Sequence, residues 1–206
     1  MYRKAGYTAP CMVNHEVEIK SRIASLRDLN RRLRASGLKL VTRRTQERNT
    51  LYDFPDEALR RRGSILRLRQ YGPKWTMTYK DKGKTGRHKR RREIETQVTD
   101  GKALEQILES VGFRPVFSYE KVRTEWSDGT GHVVVDETPI GNFCEIEGPS
   151  RWIDRMARQL EIAPQDYITE SYPELFRHWK LQTKSKARDM LFAAASRSSG
   201  KKAGKP

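Results

Sequence analysis

The sequence predicts an α+β fold in which a closed antiparallel β-barrel with a polar lumen is covered by several α-helices. Two observations carry this. Side chains alternate along a strand, and every candidate strand here bears charged residues on one face and apolar ones on the other. Between the strands, apolar residues recur at helical spacing. An open sheet with a wetted outer face would also be charged on one side, but it gives no reason for charges to fall in sign-matched pairs two residues apart. A barrel does, if its apolar faces turn outward under helices and its charged faces turn inward.

The elements follow in order. Residues 1–12 lack periodicity and read as a loose leader ahead of a folded unit over 13–182. Glu16-Val17-Glu18-Ile19-Lys20 is the first strand, with Glu16, Glu18 and Lys20 on one face. Two carboxylates and an ammonium on one short face suit a metal ion and an anion. Ile23, Leu26, Leu29 and Leu33 mark a covering helix that Ser36-Gly37 stops. A long strand spans about 38–54, and a short helix follows, opened by Pro55 and closed by Gly63. Ile65-Leu66-Arg67-Leu68-Arg69 aligns two guanidinium groups against two leucines, and Trp75 to Lys80 ends on a lysine in phase with Thr76 and Thr78. The run from Lys84 to Arg92 holds six Lys and Arg and no acid. Falling between two strands, it reads mostly as a solvated hairpin loop at a barrel mouth.

Arg91, Glu93 and Glu95 share a strand face. Leu104, Ile107, Leu108 and Val111 mark a second covering helix ending at Gly112. Lys121, Arg123 and Glu125 share the next strand face, and Val133-Val134-Val135-Asp136 and Phe143-Cys144-Glu145-Ile146-Glu147 add three carboxylates. Turns are expected at Asp128-Gly129-Thr130-Gly131 and from Pro139 to Asn142. Ser150 reads as the cap of a helix with Trp152, Ile153, Met156 and Leu160 inward, and a last helix begins near Tyr172-Pro173. Arg197, Lys201, Lys202 and Lys205 lie among Ser, Gly and Ala, so 183–206 reads as a basic, flexible tail.

At 206 residues one domain is expected, and a hydrophobic share of 35% against 33% charged fits a chain whose interior includes a charged lumen. The net charge of +16 points to polyanionic partners. Nucleic acid is a possible partner through the basic loop and tail, though not a required one. Cys11 and Cys144 lack metal-ligand spacing, and the four histidines are scattered, which argues against a zinc site or a Ser-His-Asp arrangement. No export signal or membrane-length apolar run is present, so a cytoplasmic location is expected and no membrane partner. The oligomeric state stays open, a dimer included.

Taken in order, ExExK at Glu16 to Lys20, RLR at Arg67 to Arg69 after Leu59-Arg60-Arg61-Arg62-Gly63, the lone Lys80, RxExE from Arg91, KxR at Lys121 and Arg123, Asp136, and the closing ExE at Glu145 and Glu147 resemble the CYTH superfamily. The match runs from about residue 13 to about 181. Tyr52-Asp53-Phe54-Pro55 and Asp136 through Phe143 resemble its CyaB-like branch most closely. The resemblance implies an eight-stranded triphosphate tunnel and an activity among class IV adenylate cyclases, thiamine triphosphatases and inorganic triphosphatases.

On that resemblance, Lys20, Arg67, Arg69, Lys80, Lys121 and Arg123 converge on the lumen, joined by Arg91, to bind and act on a small triphosphate. Arginines grip phosphate oxygens in bidentate fashion and lysines act as point charges. Glu16, Glu18, Asp136, Glu145 and Glu147 offer the hard oxygen ligands that Mg²⁺ or Mn²⁺ takes, and Glu16 and Glu18 also count among the catalytic set. Glu93 and Glu95 would orient Arg91, and Tyr52, Phe143 and Tyr172 read as packing aromatics. Two reactions are open. A cyclase directs the ribose 3′-hydroxyl at the α-phosphorus, and a triphosphatase directs water at the terminal phosphorus. A non-catalytic binder of polyphosphate or RNA ends is a further alternative, disfavoured because a pure anion binder gains nothing from carboxylates.

Overall fold

The computed structural model describes residues 12–84 and 86–193. Eight strands form a closed barrel, with every neighbouring pair antiparallel: β1 (Met12–Ile23), β2 (Lys39–Asp53), β3 (Ile65–Tyr71), β4 (Lys74–Lys80), β5 (Lys89–Val98), β6 (Arg114–Ser127), β7 (His132–Thr138) and β8 (Gly141–Glu147). Around the barrel they run β1-β5-β4-β3-β2-β6-β7-β8. The first strand is the closing stave: Met12 to Glu18 pairs with β5, and Glu18 to Ile23 pairs with β8. Register sets opposite charges side by side, with Glu16 opposite Arg91, Lys20 opposite Glu145, Lys80 opposite Glu93 and Arg123 opposite Asp136. Such cross-strand pairs stabilise a sheet face.

The apolar faces point outward, as the alternation predicts. Helices α1 (Leu26–Ala35) and α4 (Ser150–Gln159) cover one side, burying Leu29, Leu33, Trp152, Ile153 and Met156 against Ile19, Val133 and Ile146. Cys144 is buried in that cluster, and each large apolar side chain there contributes about 1.5–3 kcal/mol. Helix α5 (Tyr172–Thr183) packs Tyr172, Leu175 and Phe176 against Leu51, Tyr119 and Phe143. Helix α3 (Gly101–Ser110) brings Leu108 onto Tyr52 and Leu68.

Several boundaries differ from the sequence expectation, each for a local reason. Ile23 ends β1 rather than opening α1, because Ser25 supplies the cap and its Oγ accepts from the Asp28 backbone N–H. Helix α2 (Ala58–Arg62) starts three residues after Pro55, where Asp53 accepts from the backbone N–H groups of Phe54, Leu59 and Arg60. Gly63 closes it with φ 75, a backbone that favours glycine. Helix α4 begins with Ser150 itself after Pro149, and the Ser150 Oγ instead accepts from Arg90. On α3, Ile107 and Val111 stay 56% and 62% exposed, so only part of the expected stripe covers the barrel.

The larger corrections concern the two basic segments. Three strands, β3 to β5, stand where two were expected, and the Lys84–Arg92 run is only half loop: Lys89 to Arg92 begin β5. Residues 184–193, assigned from sequence to a flexible tail, dock on the barrel. Strand β7 pairs only from Val122 onward, which leaves an open edge on β6. Met190 pairs there in parallel with Tyr119, donating from its N–H to Ser118 and accepting from Glu120. Its side chain is fully buried with Tyr119 and Tyr172. The strap satisfies an edge that would otherwise present bare N–H and C=O groups. Within the expected leader, Met12 already belongs to β1; residues 1–11 and 194–206, with Cys11 and the basic tail residues, lie outside the described residues.

Candidate active site: the charged lumen

The inward faces of the strands enclose a cavity of about 600 Å³. Its lining contains Lys20, Arg67, Arg69, Lys80, Lys89, Arg91, Lys121 and Arg123, interleaved with Glu16, Glu18, Glu93, Glu95, Glu145 and Glu147. Eleven of the twelve residues assigned to the site from the sequence therefore share one cavity. Asp136 is the exception and stands behind it.

Asp136 is fully buried and both its oxygens are engaged. Arg123 Nε donates to Oδ1 at 2.7 Å, while Lys121 Nζ at 2.9 Å and the Tyr172 hydroxyl at 2.7 Å donate to Oδ2. The expectation that Asp136 is a metal ligand is corrected by this geometry, because no lone pair faces the lumen. It anchors the two cations in front of it. Glu47, which the sequence reading missed, does the same from β2: fully buried, it lies 3.4 Å from Lys121 Nζ and 3.7 Å from Arg123 Nε. Burial alone would raise the Glu47 pKa, but Lys121 and Arg123 outweigh it and hold the carboxyl far below the usual range. With Glu47 and Asp136 behind the lining, carboxylates equal cations in number.

That balance answers the expectation of a lumen strained by like charges, because most of its cations hold a carboxylate at close range. Lys80 Nζ sits 2.9 Å from Glu16 and 2.8 Å from Glu93. Arg91 Nε donates to Glu16 at 2.6 Å, and Lys20 lies 3.1 Å from Glu145. Burial opposes ionisation of Glu16, yet Lys80 and Arg91 keep its carboxyl well below the ordinary value. Glu145 is held low in the same way by Lys20, Lys121 and Arg123, against its burial. The Tyr172 ring lies under Lys20 and Lys121, with their Nζ atoms 4.6 and 4.9 Å from its centroid. Read from the sequence as packing alone, Tyr172 is thus part of the lumen wall.

Arg67 and Arg69 are held more loosely. The nearest carboxylate to Arg67 is Glu93 at 3.9 Å, and Arg69 reaches Glu95 at 3.3 Å. The Nε of each is buried and has no hydrogen-bond partner among the described residues. A buried guanidinium N–H without an acceptor is unfavourable, and an oxyanion in the lumen would supply one. Lys89 is a further cation that sequence reasoning placed in the loop. Its side chain lines the cavity 3.8 Å from Glu18, and burial and then Arg91 lower its pKa. The strand alternation that puts Arg91 inward also puts Lys89 inward, so the signal was present and was masked by the run of basic residues around it.

The same accounting narrows the metal ligands. Glu16 and Glu145 are consumed by cations at under 3.2 Å, whereas Glu18 meets Lys89 and Arg91 only at 3.8 Å. Glu147, directly opposite Glu18 across β1 and β8, makes no ion pair among the described residues. It stays open to water at the rim of the lumen. Desolvation in the cavity mouth, then Glu16 and Glu18, push its carboxyl up to about 7. Two carboxylates with spare oxygens fit a small divalent ion, which is commonly bound by one or two carboxylates together with substrate phosphates and waters. Among the described residues no three acidic, histidine or cysteine side chains form a closed cage.

The comparisons with known proteins agree with this geometry. The CYTH domain profile matches residues 14–172, and the chain belongs to that family. A Methanocaldococcus jannaschii protein described as a candidate adenylate cyclase is 27% identical over 171 residues, spanning 78% of this chain and 97% of that one. Adenylate cyclase CyaB of Aeromonas hydrophila is 26% identical over 132 residues, 64% of this chain and 67% of that one. Among solved structures, a candidate adenylate cyclase from Vibrio parahaemolyticus superposes with a TM-score of 0.71 at 22% identity, covering 81% of this chain and 99% of that one. A Hippeastrum protein, reported as a candidate adenylyl cyclase with a dominant triphosphatase activity, superposes with a TM-score of 0.56 at 17% identity, covering 79% and 95%. Among the described residues no helix is long and apolar enough to cross a membrane.

Proposed function

We propose that the protein is a metal-dependent enzyme that acts on a triphosphate in this lumen, with the reaction of CyaB-type class IV adenylate cyclases: ATP to cyclic AMP and pyrophosphate. The unpartnered Nε–H groups of Arg67 and Arg69, buried in a cavity lined by eight cations, carry this reading. Arg67 and Arg69 bind phosphate oxygens, and Lys20, Lys80, Lys121 and Arg123 spread positive charge along the chain of phosphates. Phosphoryl chemistry asks little more of a protein than such positioning and neutralisation. Glu18 and Glu147 hold the divalent ion. Bound Mg²⁺ or Mn²⁺ would supply charge neutralisation at the phosphate oxygens. The family relatives named as adenylate cyclases favour attack by the ribose 3′-hydroxyl on the α-phosphorus.

Hydrolysis of inorganic, thiamine or nucleoside triphosphate is the second reading, favoured by the triphosphatase activity ascribed to the Hippeastrum protein of the same fold. Both reactions draw on the same cations. Incubating the protein with ATP, inorganic triphosphate and thiamine triphosphate under Mg²⁺ and Mn²⁺, and identifying products by chromatography, separates them. Cyclic AMP with pyrophosphate supports the cyclase, and orthophosphate supports the triphosphatase. No metal-dependent product from any of the three overturns the enzymatic reading.

A further inference from the structure

A second and larger concavity, of about 1190 Å³, opens beside the lumen. The two are continuous, since Leu51, Ile65, Lys89, Arg91, Ser171 and Pro173 wall both. One bank is formed by the ends of β2 and β3 with α2, and the other by α5 and the chain that follows it.

Its charge is distributed unlike that of the lumen. Lys82, Arg177, Lys180, Lys184 and Arg188 line it, and among the described residues none of the five has a carboxylate within ion-pair distance. The acids nearby are otherwise occupied. Asp53 accepts from three backbone N–H groups, Glu57 pairs with Arg60, Glu170 with His178, and Glu174 closes the capping box at Ser171. Lumen cations thus come with carboxylate partners, whereas those of the groove wait for an external anion. Apolar surface is interspersed with them: Val116 and Leu181 are 42% and 73% exposed, and Phe117 is half-buried between.

We propose that this groove binds a single-stranded nucleic acid chain whose 5′-triphosphate end occupies the lumen, so that the site acts on a triphosphorylated oligonucleotide. The inference rests on the reading of the lumen as a triphosphate site. A free nucleoside triphosphate with its phosphates in the lumen leaves one nucleoside outside. The groove exceeds the roughly 300–1,000 Å³ usual for a whole small ligand, which is more room than one nucleoside needs. A phosphodiester chain carries one charge per nucleotide, which suits a row of unpaired cations, and its bases have faces for Phe117, Val116 and Leu181. Cationic grooves with apolar platforms are how single strands are held without sequence preference. Inorganic polyphosphate would leave the apolar surface unused.

The test is direct binding to the full chain, without divalent ions, of a ten-nucleotide RNA bearing a 5′-triphosphate, of the same RNA with a 5′-hydroxyl, of ATP and of inorganic polyphosphate. Lys180→Ala/Lys184→Ala is compared with the parent. The triphosphorylated RNA is expected to bind at least tenfold more tightly than ATP or the 5′-hydroxyl RNA. In the double variant that advantage should disappear while ATP affinity stays within twofold. The slope of log Kd against log salt for the RNA should also fall by about 1.4, since each phosphate contact on a single strand contributes about 0.7. Equal affinity for RNA and ATP in the parent overturns the proposal, as does a double variant that binds RNA unchanged, or polyphosphate binding with the same dependence on Lys180 and Lys184. Failure of ATP to bind at all would instead remove the triphosphate reading of the lumen beneath it.

Discussion

The Tyr172 hydroxyl donates to Asp136 Oδ2 at 2.7 Å, and this one bond ties the first turn of α5 to the strand that backs Lys121 and Arg123. Burial and then the Asp136 charge push the tyrosine's pKa far up, so it stays a donor across the accessible pH range. Tyr172→Phe keeps the ring beneath Lys20 and Lys121 but removes the donor. A hydrogen bond to a charged group is worth about 1.5–3 kcal/mol, so chemical denaturation should show a loss of that order. Triphosphate affinity should fall with it, and a variant with unchanged stability would break the proposed link.

Glu18→Gln and Glu147→Gln should each reduce turnover roughly a thousandfold, because losing several kcal/mol of metal-assisted stabilisation has that effect on rate. Binding of inorganic triphosphate without metal should change little. Wild-type rates at saturating Mg²⁺ in either variant would show that the divalent ion is held elsewhere.

The raised pKa of Glu147 gives a pH signature. Its folded value of about 7 lies above the ordinary 4.5, so the folded state favours the protonated form. Ionisation therefore destabilises the fold progressively as pH rises from 4.5 to 7, and fully above 7. Glu147→Gln removes that penalty. Its melting temperature should exceed the parent's above pH 7, and the gap should close towards pH 4.5. A gap independent of pH would contradict the assignment.

Inorganic triphosphate should raise the melting temperature, with a stabilisation of about 2.7 kcal/mol at a hundredfold excess over Kd. Arg67→Ala should abolish most of this gain, and Arg87→Ala, in the loop before β5 and paired with Asp154, should leave it intact. Equal losses in both would mean that overall basicity, and not the lumen, holds the anion.

Chain length at the C-terminus supplies another check. Removing 194–206 should leave turnover of small triphosphates nearly unchanged. Removing 189–206 also strips the buried Met190 and uncovers the β6 edge, and Met190→Ala alone should lower stability by about 2–5 kcal/mol. A truncation at 189 that melts like the parent would show the strap to be dispensable.

Much of this architecture was readable from alternation alone. Glu16, Glu18 and Lys20, or Arg67 and Arg69, cannot both alternate and share a surface unless that surface is the barrel's inside. What stayed hidden were relations between strands distant in sequence. Asp136 reads like the other lumen acids until its donors are placed around it, and Glu47 carries no signal because β2 is polar over most of its length. Lys89 vanished in a basic run whose strand boundary only pairing with β1 defines. Ile107 and Val111 show the converse error, an apolar period on α3 that the barrel does not reach.

The closing position of β1 has a consequence for how the molecule comes into being. Glu18 faces Lys89 on one side and Glu147 on the other, so the strand that leaves the ribosome first is the last to find both neighbours. Until residue 147 has been synthesised, the lumen is an open trough, and ions bound there exchange freely with the cytosol or tube around it. Completion of a single late hairpin, β7 with β8, then turns a loose array of charges into an enclosed chamber, which makes the onset of function a vectorial event in translation rather than a gradual one.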